Sequence, residues 1–121
     1  MAERAKLAAE AFYNINPRFL MVEKDFEGYI VVADVDNDDI CIVNAVELKR
    51  PMSSSKEGMI SQQEFERLID KYIDTHEDVD MFFRFDIVHV YVTRKNRAML
   101  RLHCNAPFYD EKEVVSYVDV R

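Results

Sequence analysis

The apolar positions of this chain repeat with two different periods, and the change of period predicts where helices give way to strands. Residues 2–15 carry apolar side chains three and four positions apart, which is the spacing of one helix face. Pro17 ends this predicted helix because proline cannot continue the helical hydrogen-bond ladder. A second helix begins at Ser61, which forms a capping-box pattern with Glu64, and it continues to about residue 75. The apolar positions of the first helix are Leu7, Ala8, Ala11, Phe12 and Ile15.

Strand-like segments fill most of the remaining chain. Their β-branched and aromatic residues predict strands at 18–23, 28–35, 40–49, 81–93 and 98–104. Residues 36–39, Asp-Asn-Asp-Asp, have the chemistry of a hairpin turn. The order helix, three strands, helix, two strands predicts one α/β domain over residues 1–121, with a mixed β-sheet flanked by helices. Residues 114–120 are expected to form a further strand or to pack on a neighbour.

Composition places the chain among folded cytoplasmic proteins. It has 121 residues, of which 49% are hydrophobic, enough for one core and too few for two. No apolar run approaches the length of a membrane span, so no membrane partner is expected. The first six residues lack the apolar core of a signal peptide. Cys41 and Cys104 lie in apolar strand-like surroundings without zinc-site spacing, and we expect both to be buried thiols.

The charge balance argues against a general duplex-binding protein. The formal net charge is -7, whereas such proteins usually present a basic face. The dense basic cluster at residues 94–97 is interpreted as a solvated hairpin turn. The aspartates of residues 34–39 suggest calcium, but the segment lacks the glycine and the distal glutamate of a calcium loop. A solvated turn is therefore the expectation there as well.

Glu47 and Lys49 are the clearest candidates for chemistry. They lie two residues apart at the end of the third predicted strand, so their side chains point to the same face of the sheet. A carboxylate beside an ammonium at a strand end is typical of metal-dependent phosphodiester cleavage, in which the carboxylate holds the cation and the ammonium stabilises developing charge. The same residues also fit a solvated ion pair at a sheet edge.

Three local segments carry a resemblance to one family. Residues 45–50 read Ala-Val-Glu-Leu-Lys-Arg, residues 84–88 read Arg-Phe-Asp-Ile-Val, and residues 105–108 read Asn-Ala-Pro-Phe. In order and separation they resemble the YraN family of uncharacterised bacterial proteins, which have the restriction-endonuclease-like fold of the Asp/Glu-x-Lys nucleases. The resemblance spans roughly residues 8–108 and implies that fold for this mixed sheet.

The resemblance also implies roles for individual residues. Glu47 would be a Mg²⁺ ligand, Lys49 would activate water or stabilise charge, and Gln62 would orient water or phosphate. In the family the second metal ligand is the aspartate of a Gly-Glu-Ile-Asp strand, and aligning on the glycine puts Val31 at that position. Asp34 is the alternative ligand, because its separation from Glu47 fits the family's spacing if the strand is shifted.

Two functional hypotheses follow. In the favoured one the fold persists with an incomplete metal site, and the chain is an interaction module linked to nucleic acid or to a protein partner. The alternative is an active Mg²⁺-dependent endonuclease, related to Holliday-junction resolvases, that uses Asp34, Glu47 and Lys49. Branched or single-stranded DNA is the expected nucleic acid, and an edge strand makes a homodimer an open alternative.

Other polar and aromatic residues have structural explanations. His89 and His103 alternate with apolar residues on neighbouring strands, so they are expected to face each other as a partly buried pair. Arg84 and Asp86 lie on one strand face and are expected to form an ion pair with each other or with neighbours. The aromatic group Phe82, Phe83 and Phe85 is interpreted as core.

Overall fold

Two helices and five strands follow one another in the order that the apolar periodicity predicts. The structure, a computed structural model, describes residues 2–51, 56–76 and 80–109. The strand predicted at residues 114–120 lies outside the described residues. In chain order the elements are α1 (Ala2–Ile15), β1 (Phe19–Phe26), β2 (Tyr29–Asp34), β3 (Asp39–Glu47), α2 (Gln62–Thr75), β4 (Phe82–Val92) and β5 (Ala98–His103).

The five strands form one mixed sheet in sequential order, β1-β2-β3-β4-β5. The pairs β1–β2, β2–β3 and β4–β5 are antiparallel, and β3–β4 is parallel. Antiparallel neighbours need only short turns, whereas the parallel pair needs a crossover, which α2 supplies. The predicted mixed sheet with helices is therefore confirmed.

The two helices pack on opposite faces of this sheet. Side chains alternate along a strand, so neighbouring residues of β3 belong to different hydrophobic clusters. Cys41 and Val43 pack with Tyr13 of α1, whereas Ile40 and Ile42 pack with residues of α2. The residues of α2 in this second cluster are Phe65, Leu68 and Tyr72. Burial on both faces explains why the central strands read as nearly continuous apolar runs.

The buried face of α1 differs from the one that its largest apolar residues indicate. Leu7 and Ile15 are exposed, at 65% and 83%, whereas Ala5, Ala9 and Tyr13 are buried. Small alanines at four-residue spacing form the contact with the sheet, and the aromatic ring of Tyr13 packs on Phe19 with ring centroids 4.9 Å apart. Size was therefore a poor guide to orientation for this alanine-rich helix.

The start of α2 agrees with its capping signal. The hydroxyl of Ser61 accepts a hydrogen bond from the backbone N–H of Glu64 at 3.1 Å. The Glu64 side chain does not complete the reciprocal box, because it pairs with Arg67 one turn along the helix. No helix in the described part of the chain is long and apolar enough to cross a membrane.

Two expectations about burial were wrong. Cys104 is exposed because it lies in the turn that follows β5, although Cys41 is buried as expected. Phe82, the first residue of β4, is 81% exposed, whereas Phe85 belongs to the core. A strand's first residue projects beyond the neighbouring helices, so its side chain has little to pack against.

Candidate functional site

The carboxylate of Glu47 lies at the end of β3 and contacts α1. The guanidinium Nε of Arg4 donates to Glu47 Oε1 at 3.1 Å, and Arg4 Nη2 donates to the other carboxylate oxygen. This donation lowers the pKa of Glu47 below its usual value. Both oxygens of the predicted metal ligand are therefore engaged by an intramolecular cation.

Lys49 and Gln62 do not lie together with Glu47 in one site. β3 ends at Glu47, so Lys49 lies just beyond the strand, exposed. The chain still pairs with β4 here, since Leu48 N donates to Val90 O at 2.7 Å. Gln62 begins α2, on the face of the sheet opposite to α1, and donates to Glu66 at 3.2 Å.

Asp34 lies at the other end of the sheet from Glu47. It ends β2 and pairs in register with Asp39, the first residue of β3. β3 has nine residues, so its two ends are roughly 26 Å apart. The hairpin turn of residues 35–38 produces this arrangement, because it sends β3 away from Asp34. The structure therefore does not bring Asp34 and Glu47 into one site.

Asp34 belongs instead to a buried network of arginines and carboxylates. Arg84 donates to Asp34 at 2.9 Å, to Asp39 at 3.0 Å, and to both oxygens of Asp86 at 2.9 and 2.8 Å. Arg18 adds a bidentate contact to Asp34, the shorter bond being 2.7 Å. The predicted pairing of Arg84 with Asp86 is confirmed, and it extends across three strands.

The electrostatics of this network suit structure better than catalysis. Asp34 and Asp86 are fully buried, and Arg84 is 8% exposed. Hydrogen bonds from Arg18 hold the pKa of Asp34 well below its usual range. The buried Tyr13 hydroxyl has no hydrogen-bond partner within the described residues. Its pKa is raised, mainly by burial and then by the nearby charge of Asp86.

These contacts do not fit the magnesium ion that the resemblance implies. A magnesium site needs carboxylate oxygens that converge on one point. Here Glu47 and Asp34 are separated by the length of β3, and arginines engage the oxygens of both. Among the described residues, no group of three or more His, Cys, Asp or Glu side chains is placed to hold a metal.

Unpaired positive charge collects at the end of the sheet where β3 finishes. Six exposed cations lie there without a side-chain ion-pair partner among the described residues, whereas the arginines described above are all neutralised. Two follow β3, three lie in the β4–β5 turn and one is on β5. They are Lys49, Arg50, Arg94, Lys95, Arg97 and Arg101.

Acidic and basic side chains are therefore concentrated at different positions along the strand direction. Acidic side chains gather where β3 and β4 begin, at residues 34–39 and at Asp86. Residues 87–109 contain no aspartate or glutamate. Glu47 also lies at the end where β3 finishes, where Arg4 pairs with it, and Glu57 lies beside His89. The six cations outnumber these carboxylates and make this end basic, although the chain as a whole carries a formal charge of -7. Residues 94–97 form the exposed hairpin turn that the sequence predicts, and the acid-free stretch around them is visible in the sequence.

A small cleft opens beside these cations, with a volume of about 60 Å³. Its floor comes from two cross-strand pairs of β4 and β5, His89 with Arg101 and Tyr91 with Met99. Leu48 and Pro51, which follow β3, form a wall. Aromatic and apolar surface thus adjoins the basic end, and Arg101 belongs to both.

One member of the predicted histidine pair, His89, lines this cleft. The rings of His89 and His103 face each other across β4 and β5, with centroids 4.6 Å apart, as the alternation predicts. His89 Nε2 lies 2.9 Å from the carbonyl oxygen of Glu57. Burial, followed by the charges of His89 and Arg101, lowers the pKa of His103. The two rings therefore pack against each other, and this packing disfavours the charged form of His103.

Comparisons with known proteins found no match for this chain. No protein-family model matches the chain, and neither the curated proteins nor the solved structures contain a match.

Proposed function

We propose that this protein is a nucleic-acid-binding module that does not cleave its ligand and that uses the basic end of the sheet to hold phosphates. The observation that carries the proposal is the group of six unpaired cations at residues 49–50, 94–97 and 101. Unpaired lysines and arginines on one surface attract polyanions, and contacts to phosphates dominate the affinity of proteins for nucleic acids.

The clustering of unpaired cations supports this proposal over the alternative that these residues only keep the protein soluble. Among the described residues, the other arginines and Lys6 and Lys71 all pair with carboxylates. One of these pairs, Arg4 with Glu47, lies at the same end of the sheet as the six cations. Lys49 and Arg50 adjoin the β4–β5 turn because β3 and β4 run parallel and end at the same side. Repulsion between these cations costs free energy in the isolated protein, and a bound polyanion would relieve that cost.

The proposed ancestry is the restriction-endonuclease-like fold that the sequence resemblance implies. The order of α1, β1, β2, β3, α2 and β4 supports it, as does the parallel pairing of β3 with β4 across α2. Glu47 remains at the end of β3, where the resemblance implies a metal ligand. In this proposal the carboxylate of Glu47 pairs with Arg4 instead of a metal ion, and the module keeps the fold without the metal chemistry.

The alternative is an active Mg²⁺-dependent endonuclease. It would have to use Glu47 and Lys49 without Asp34, since Asp34 lies at the opposite end of β3. It would also have to displace Arg4 from Glu47. Cleavage of any DNA in the presence of magnesium, lost in Glu47→Gln, would establish this alternative and overturn the non-catalytic proposal.

Fluorescence anisotropy with labelled DNA tests the binding itself. We expect binding at about 50 mM salt that weakens steeply as salt rises, because each phosphate contact releases bound counterions. Replacing Arg94, Lys95 and Arg97 together by glutamine should remove most of the affinity.

Single substitutions provide a matched pair. Lys95→Gln and Lys24→Gln each remove one exposed and unpaired positive charge, but Lys24 lies on β1, away from the basic end. Only Lys95→Gln should weaken binding and lower the slope of log affinity against log salt, by about 0.7 to 1. Equal effects of the two substitutions, or no binding by the wild type, would contradict the proposed surface.

A further inference from the structure

We propose that the nucleic acid bound at the basic end is single-stranded and that one of its bases stacks on Tyr91 in the adjoining cleft. This inference rests on the proposed function, because the six cations would supply the phosphate contacts. It adds the strand state of the ligand and the residue that would recognise it.

The cleft provides a flat aromatic surface that a base can reach. Tyr91 pairs in register with Met99 on the neighbouring strand, and their side chains point to the same face of the sheet. Tyr91 is half-buried and lines the cleft, so part of the residue is accessible there. Met99 is 56% exposed and offers a second apolar contact at the rim.

The neighbours of the cleft are suited to the rest of a nucleotide. Arg101, beside Met99 on β5, has no acidic partner among the described residues and can contact a phosphate or the π-face of a base. Arg94, Lys95 and Arg97 lie in the turn that follows β4, immediately beyond Tyr91 along the strand. Pro51 limits the cleft on the opposite side.

Single strands fit this combination better than duplexes do. In a duplex the faces of the bases are covered by their neighbours, so a side chain cannot stack on them without unpairing. In a single strand every base has an accessible face, and grooves that combine cations with aromatic rings bind such strands with little sequence preference.

Anisotropy titrations with three ligands of equal phosphate number test the inference on the complete chain. The ligands are a single-stranded oligonucleotide, an abasic strand of the same length, and a duplex containing the same number of phosphates. We expect the single strand to bind at least about 5-fold more tightly than the other two, because stacking of one base on an aromatic ring contributes about that factor or more.

Substitutions at Tyr91 provide the decisive comparison. Tyr91→Phe keeps the ring and should retain the preference for the single strand. Tyr91→Leu keeps apolar bulk in the cleft but removes the ring, and it should lower single-strand affinity about 5- to 100-fold while leaving abasic binding and the salt slope unchanged. Circular dichroism and thermal melting of both variants show whether the fold is kept.

The outcomes separate this inference from the proposal beneath it. If no ligand binds, or if the triple glutamine variant of the turn binds as the wild type does, the proposed function fails. If all three ligands bind equally and Tyr91→Leu changes nothing, phosphate binding stands and the stacking inference is overturned. Tighter binding of the duplex would likewise overturn it, and would indicate that the β4–β5 hairpin enters a groove instead.

Discussion

Arg4 of α1 donates two hydrogen bonds to Glu47 at the end of β3, so a guanidinium occupies the position that a metal ion would need. The contact joins residues 43 positions apart in the chain and links the start of α1 to the end of the central strand. A carboxylate in this arrangement is an anchor for a helix. Each of its oxygens already accepts a hydrogen bond from Arg4.

We therefore expect no Glu47-dependent binding of magnesium. Calorimetric titration of wild type and Glu47→Gln with Mg²⁺ or Mn²⁺ should give indistinguishable heats, since Arg4 already neutralises the carboxylate. Arg4→Met is the informative control, because it frees both oxygens of Glu47 while leaving the rest of the fold intact. A millimolar or tighter site in the wild type that disappears with Glu47→Gln would show that the ion displaces the arginine.

The network around Arg84 should be essential for stability. Arg84→Met leaves Asp34 and Asp86 buried without their shared cation, and breaking a buried ion pair in this way costs about 3–5 kcal/mol. Chemical denaturation measures the loss. Arg67→Met also removes an arginine from two carboxylates, but on an exposed helix face, where at most about 1 kcal/mol is expected. Similar losses for the two variants would mean that the carboxylates around Arg84 find other partners when the arginine is removed.

Acid should act on the same network through Asp34. Arginine donors lower the pKa of this carboxyl in the folded state, so its stabilising contribution is complete above the unfolded pKa near 4 and is lost as pH falls below it. The stability difference between wild type and Asp34→Asn should shrink below about pH 4. Urea denaturation of both proteins between pH 7 and pH 3 measures this difference, and an unchanged difference across that range would contradict the role of Asp34.

Local signals predicted the elements well because they depend on neighbours in the chain. Pro17 ended the first helix, Ser61 began the second, and the aspartates of residues 36–38 marked the β2–β3 turn. The alternation around His89 and His103 also placed these two rings against each other. Each of these signals operates within a few residues or across one adjacent pair of strands.

The candidate site was harder to predict because it depends on register. Asp34 and Glu47 have the separation of a family motif, yet the turn between them sets which residues face each other. Ile30 pairs with Val43, so the residues that would lie opposite Glu47 come before β2 begins. Arg4 could not be assigned as the partner of Glu47, since contacts between a helix and a distant strand leave no local pattern.

The histidine pair should make stability depend on pH near neutrality. Burial lowers the folded-state pKa of His103 below its unfolded value of about 6.5, so the stabilisation of the neutral ring is complete above that pH and is lost as pH falls. Urea denaturation between pH 7.5 and pH 5 should show decreasing stability, and His103→Gln should flatten the decrease. Equal slopes for wild type and His103→Gln would contradict the assignment.

Gly58 should tolerate substitution less well than Gly28, because its surroundings are more crowded. Both Gly28 and Gly58 have positive φ, +88° and +93°, so alanine is strained at either position. At Gly58 an added Cβ would also lie 2.7 Å from Val46 Cγ2, whereas at Gly28 nothing lies within 4 Å. Gly28→Ala should therefore lower the free energy of unfolding by about 1 kcal/mol, and Gly58→Ala by about 1–3 kcal/mol more. Asn44 donates to the Gly58 carbonyl at 3.0 Å and prevents the loop from moving away freely, so equal losses for the two variants would mean that this segment packs more loosely on β3.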